Sequence, residues 1–262
     1  MSRPRPSDAD LGMMPRPPRL ILPGVSLHVI QRGNDRMATF HCAGDRERYR
    51  EALRQASQRF GCAIHAYVLM TNHVHLLITP DDDVGPSRMM QSIGRKYVRY
   101  INGRYERTGT LWEGRFKSSL VHSERYFLTC SRYIEFNPVR AQMVADPDQY
   151  RCSSHRHNAL GETDALITPH EAYDALGRSM AERQAAYRAL FRAPMESETL
   201  ATIRQAVNEG GVLGDDEFID RIESMTRRRV SHLPHGGDRR SAVFHALTQS
   251  ARRPVLSTTL TP

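Results

Sequence analysis

At 262 residues the chain has room for one well-cored domain with a smaller appendage, or for two modest domains. It carries 37 Lys and Arg against 29 Asp and Glu, a formal net charge of +8, and Lys96 and Lys117 are the only lysines, so an arginine-bound polyanion is the first partner to consider. Four dispersed cysteines without a CxxC pair exclude a zinc ribbon and fit a reducing compartment, and no apolar run reaches the roughly 18 residues of a membrane span. With no apolar leader, the expected location is the cytoplasm.

Residues 1–19 are rich in Pro and Arg without periodicity and read as disordered, with Met13 or Met14 as the expected natural start. Residues 25–30 alternate as a strand and run into the turn cluster at Gly33 to Asp35. Residues 45–60 place Tyr49, Leu53, Ala56 and Phe60 at helical spacing, with Asp45 as N-cap and Gly61 just past the end. Two strands follow at 62–70 and 72–79, then a basic helix at 86–105, a strand at 116–122 and a helix at 123–137 stopped by Pro138. The first six elements give the split βαβ order of a ferredoxin-like α+β fold, a four-stranded antiparallel sheet with helices on one face. Residues 20–155 form the expected catalytic domain. Short helices at 168–177, 181–192, 199–209 and 215–229 make 156–230 a helical accessory region, and 231–262 reads as a mostly disordered tail.

Strand alternation picks out the chemistry. In the strand at 72–79, Val74, Leu76 and Ile78 point one way and His73 and His75 the other. The same split sets Ile64, Ala66 and Val68 against His65 and Tyr67, and Leu27 and Val29 against His28. One sheet face is therefore expected to gather His28, His65, His73 and His75. Two imidazoles at i and i+2 reach one divalent ion, although an isolated His-x-His is more often structural. The histidine-triad hydrolase pattern fails at Leu77, the metallo-β-lactamase pattern fails at Leu77 and Thr79, and a cupin frame fits poorly. The helix at 123–137 puts Phe127 and Ile134 toward the core and stacks Tyr133 and Asn137 at i and i+4, with Tyr126 two turns earlier as an alternative tyrosine. A neutral phenol is a weak nucleophile, so a metal that polarises a phosphate would compensate, and Asn137 is a candidate third ligand. Arg88, Arg95, Lys96, Arg99, Arg104, Arg107, Arg115 and Lys117 are interleaved with Tyr97, Tyr100, Tyr105, Trp112 and Phe116. That mixture of cations and aromatic faces suits single-stranded nucleic acid. A solvated helix face is the plainer reading.

Taken together, His73-Val-His75, the run from Arg132 to Arg140, His28 to Gly33, Tyr67 to His73 and Gly109 to Lys117 resemble the single-tyrosine HUH transposases of bacterial insertion sequences. The resemblance spans about residues 16–155 and is nearest to the REP-associated tyrosine transposases. It implies that His73, His75 and Asn137 hold Mg²⁺ or Mn²⁺. It further implies that Tyr133 cuts single-stranded DNA near hairpins through a 5′-phosphotyrosine link; from the cation and aromatic pattern, Arg95, Lys96, Arg99, Tyr100, Arg104, Trp112, Arg115 and Lys117 are the expected DNA contacts. Homodimer and monomer are both compatible with it. Two other classes compete: a domesticated hairpin-specific DNA-binding protein without cleavage, and an RNA-binding ferredoxin-like domain, for which Tyr67 alone is thin support.

Overall fold

The computed structural model of the protein describes residues 19–230. The expectations for residues 1–18, for the start at Met13 or Met14 and for the tail at 231–262 lie outside them. Arg19 is held, its guanidinium 3.6 Å from the centroid of the Phe116 ring and its Nε donating to the Phe116 carbonyl at 3.0 Å.

Strands β1 (Leu27–Arg32), β2 (Cys62–Leu69), β3 (His73–Pro80) and β4 (Lys117–Val121) alternate with helices α1 (Ala43–Arg59) and α2 (Gly85–Arg104) in the expected order. The sheet order is β2-β3-β1-β4, antiparallel throughout, which is the ferredoxin-like arrangement. A fifth strand, β5 (Val212–Leu213), runs parallel to β4 at the margin. Two residues of strand are too short for a periodic signal, which is why the sequence does not announce it.

On one face Leu27, Val29, Leu76 and Ile78 pack with Tyr49, Leu53 and Ala56 of α1 and Met89, Ile93 and Tyr97 of α2. Each such aliphatic side chain stabilises the fold by about 1.5–3 kcal/mol when fully buried. Cys42 rather than Asp45 is the N-cap of α1. Asp45 sits at the third helical position and accepts the backbone N–H groups of His41 and Cys42. The hydroxyls of Tyr100 and Tyr105 also donate to this buried carboxylate, which ties α1 to α2. Gly61, at φ +57°, turns the chain out of α1 as expected.

Strict alternation fails once. A β-bulge between Ile64 and Ala66 shifts the register of β2 against β3. Ile64 and Tyr67 therefore lie in the α1/α2 core, while Ala66 and Val68 join the opposite face, which corrects the expected faces of all but Ile64 and His65.

That opposite face is covered. Helix α3 (Ser123–Glu135) lies on it with Phe127, Cys130, Tyr133 and Ile134 against Ala66, Val68 and Leu77, and α8 (Ser197–Glu209) adds Ile203 and Ala206. The C-terminal third also supplies α5 (His155–Leu160), α6 (Glu171–Asp174), α7 (Met180–Ala189) and α9 (Asp216–Thr226). Buried Glu135 joins these parts. It accepts from Ser154 Oγ at 2.5 Å, Asn158 Nδ2 at 2.8 Å, Tyr187 Oη at 3.0 Å and His155 Nδ1 at 3.0 Å. No helix among the described residues is long and apolar enough to cross a membrane.

Candidate active site

His73 and His75 leave β3 on the α3 side of the sheet, with ring centroids 5.0 Å apart. Antiparallel register sets Arg32 opposite His73 and Ile30 opposite His75. His28 shares the face and brings Nε2 to 2.9 Å from Nδ1 of His75. Nδ1 of His73 lies 2.7 Å from the Asn72 carboxamide oxygen, an acceptor, so that nitrogen carries the proton. In the tautomer in which His75 donates from Nδ1 to His28, the Nε2 lone pairs of both motif histidines are left for a ligand.

All three rings are kept neutral. Burial, helped by the Arg32 charge, takes His73 down to about 4. Burial and the Arg140 charge take His28 to about 3. His75 is held well below its ordinary range by burial first and then by its neighbours His28 and His73. Neutral imidazole is the form that binds metal.

Tyr133 stands edge-on to this group, its ring centroid 5.8 Å from that of His28 and 5.8 Å from that of His75. Tyr133 is packed, only 5% exposed. Tyr126 is half-buried and shows no ring contact with these histidines among the described residues, so Tyr133 is the tyrosine at the site. The chain continues past Phe136 into the short helix α4 (Asn137–Arg140). From it the Arg140 guanidinium lies 4.3 Å from the Tyr133 ring centroid and donates to the Tyr133 carbonyl at 2.7 Å. Asn137 stands one turn beyond Tyr133, and its buried Nδ2 has no partner.

These groups fit a divalent ion. The outer nitrogens of His73 and His75 are already tied, the usual arrangement behind metal-bound histidine. The unpartnered atom of Asn137 is its amide nitrogen, a donor, whereas its carboxamide oxygen is the atom that would ligate a metal. No cluster of three or more His, Cys, Asp or Glu suited to a metal occurs among the described residues.

The predicted DNA-contacting residues lie elsewhere. Arg95, Lys96 and Arg99 are exposed on α2, behind the sheet from His73 and His75. Lys96 bonds Gln55 and Lys117 bonds Asn208. Arg104 pairs with Asp45, and the Tyr100 hydroxyl is taken by the same carboxylate. Arg115 is exposed. Trp112 is 6% exposed and packs with Tyr49 and Tyr97, so its expected role as a stacking platform is corrected: the indole belongs to the core. Sequence reasoning gave no role to Arg32 and Arg140, two cations close enough to act on the histidine charges. Period 2 from His28 was the signal for Arg32; Arg140 lies beyond a helix break and had none.

A ferredoxin-like sheet thus carries paired histidines and an opposed tyrosine on one face. Residues 22–137, which include His28, His73, His75, Tyr133 and Asn137, match the family described as IS200-like transposase, which supports the chain as a transposase acting on DNA. Among solved structures it is similar to a REP-associated tyrosine transposase bound to a REP hairpin, at 20% identity over 60% of this chain and 93% of that one, with a TM-score of 0.49. A second, described as a candidate transposase from Deinococcus radiodurans R1, matches at 20% identity over 46% of this chain and 95% of that one, with a TM-score of 0.32. No curated protein matches.

Proposed function

We propose that this chain cuts and rejoins single-stranded DNA beside hairpins with Tyr133 as nucleophile. The observation that carries the reading is the Tyr133 ring packed edge-on against His28 and His75 at 5.8 Å. The Tyr133 oxygen attacks phosphorus, the bond from phosphorus to the 3′ oxygen breaks, and the phenolic proton ends on the released 3′-OH. The product is a 5′-phosphotyrosine whose bond energy is kept, so attack by a 3′-OH reseals DNA without ATP. His73 and His75 through Nε2, and Asn137 through its carboxamide oxygen, would hold Mg²⁺ or Mn²⁺, which supplies Lewis-acid polarisation of the phosphate. Arg32 and Arg140 would neutralise the phosphate charge that grows during attack. The exposed cations of α2 would track DNA backbone beyond the cut.

The test is adduct formation. Protein with hairpin-bearing single-stranded DNA and Mn²⁺ should give an SDS-resistant protein–DNA band, and Tyr133→Phe should give none. A band from Tyr133→Phe, or none from the wild type, overturns the reading.

The burial of Tyr133 beneath Arg140 favours one competing reading, a domesticated DNA-binding protein whose phenol stays closed off. There, binding persists with a steep salt dependence, His73→Ala leaves affinity unchanged, and no adduct forms.

A further inference from the structure

Gln31 and Arg32 are consecutive on β1, so their side chains leave opposite faces of the sheet. Arg32 turns toward His73, its register partner. Gln31 lines an open pocket of about 410 Å³ on the helix side, between β1, the first half of α2 and the segment leading into β4. Its other walls include Arg19, Arg88, Gln91, Arg115 and Phe116. Among the described residues the lining contains three arginines and no carboxylate. Burial first, and then the nearby Arg115 charge, lower the pKa of Arg19 to about 10. Gln31 is 7% exposed, and its carboxamide oxygen has no hydrogen-bond partner. A buried acceptor left unpaired is costly unless a ligand completes it. The Arg19 guanidinium, 3.6 Å from the Phe116 ring centroid, presents a planar cation of the kind on which bases stack.

We propose that this pocket takes one unpaired nucleotide of the DNA strand being processed, its base against Gln31 and the Arg19–Phe116 stack, its phosphates on Arg88 and Arg115. A carboxamide offers one donor and one acceptor, the pair that matches adenine, so adenine is the base favoured. Because Gln31 and Arg32 are adjacent, a strand rounding the end of β1 places a base in the pocket while a neighbouring phosphate faces His73. The proposal rests on the reading of this chain as a single-strand DNA enzyme, and its test needs no cleavage.

Fluorescein-labelled d(TTNTT), with N each of the four bases, is titrated into the full chain in EDTA and followed by anisotropy. The adenine oligomer should bind about fivefold to a hundredfold tighter than the thymine one. Gln31→Met should erase that preference with the melting curve retained. Arg115→Ala, an exposed change, should weaken all four alike and lower the salt slope by about one. Equal affinity for all four bases, or a preference that survives Gln31→Met, overturns the proposal. So does free dAMP displacing the oligomer at a concentration below the oligomer's own Kd, which would make the site one for a free nucleotide. Tyr133→Phe should keep the preference, so a failed adduct assay beside an intact preference counts against cutting alone.

Discussion

Nε2 of His28 lies 2.9 Å from Nδ1 of His75, two rings brought together from positions 47 residues apart. The contact fixes which nitrogen of His75 is committed to the protein and which is left to a ligand. It also leaves Nδ1 of His28 buried without a partner, a polar group stranded in an apolar face. Such a loss of solvation is tolerated where it orients a neighbour, and here the neighbour is a motif histidine.

Replacing His28 by Ala should therefore weaken Mn²⁺ binding by about 10- to 100-fold without touching either Nε2 ligand. Isothermal titration of the apoprotein reads this directly. An unchanged Kd would show that His75 is oriented by packing alone.

Arg140 lies over the Tyr133 ring and holds the carbonyl of the same residue. Arg140→Ala should slow adduct formation by at least about tenfold, since one preorganised charge at a developing oxyanion is commonly worth that much or more. Arg140→Lys should recover only part of the rate, because a point charge neither covers a ring nor spans two acceptors. Single-turnover gels measure both, and a full-rate Arg140→Ala variant would remove Arg140 from the chemistry.

Histidine burial also sets the acid limit of the fold. His65 is buried and driven from 6.5 to about 4, by burial first, against a raising contact with the Thr168 carbonyl. Between these values the unfolded chain binds a proton that the folded chain refuses, so this contribution is complete above about 6.5 and is lost as the pH falls toward 4. His155 runs the other way. Burial lowers its pKa, but Glu135 and Asp148 more than offset that and raise it, so its contribution is present below 6.5 and is lost as the pH rises through the raised value. In EDTA, the melting temperature should drop from pH 7 to pH 4.5, and His65→Asn should flatten that slope by at most about 1.4 kcal/mol per pH unit. Parallel curves for the two proteins would contradict the assignment.

Glu135 is two residues from Tyr133 and accepts from four side chains of the C-terminal region. Glu135→Ala strands those donors and should cost about 3–5 kcal/mol in urea unfolding, with Glu135→Gln retaining the shape and losing less. A loss below about 1 kcal/mol for Glu135→Ala would mean that water replaces the hub without penalty.

Long periodic elements were legible in the sequence, and with them the face shared by His28, His73 and His75. What escaped had physical reasons. The bulge at Ile64/Ala66 moves Tyr67 into the α1/α2 core, and no composition signal marks a bulge. Trp112 looked like a stacking surface because it follows a run of cations, yet its neighbours in space are Tyr49 and Tyr97. Arg140 was hidden because its partner is the π face of a residue seven positions away, across a helix break. The Glu135 hub joins four residues 19 to 52 positions distant, a range at which local pattern carries no information.

The sheet's two margins are both occupied by later chain. Beside β2, the Leu69 amide is taken by the Cys152 carbonyl and the Ile64 carbonyl by the Thr168 amide; beside β4, Gly211 and Leu213 accept from Leu120 and His122. Groups that would otherwise template a foreign strand are spoken for. A second copy of this protein therefore cannot pair with these particular groups without first peeling away the later chain segments that hold them.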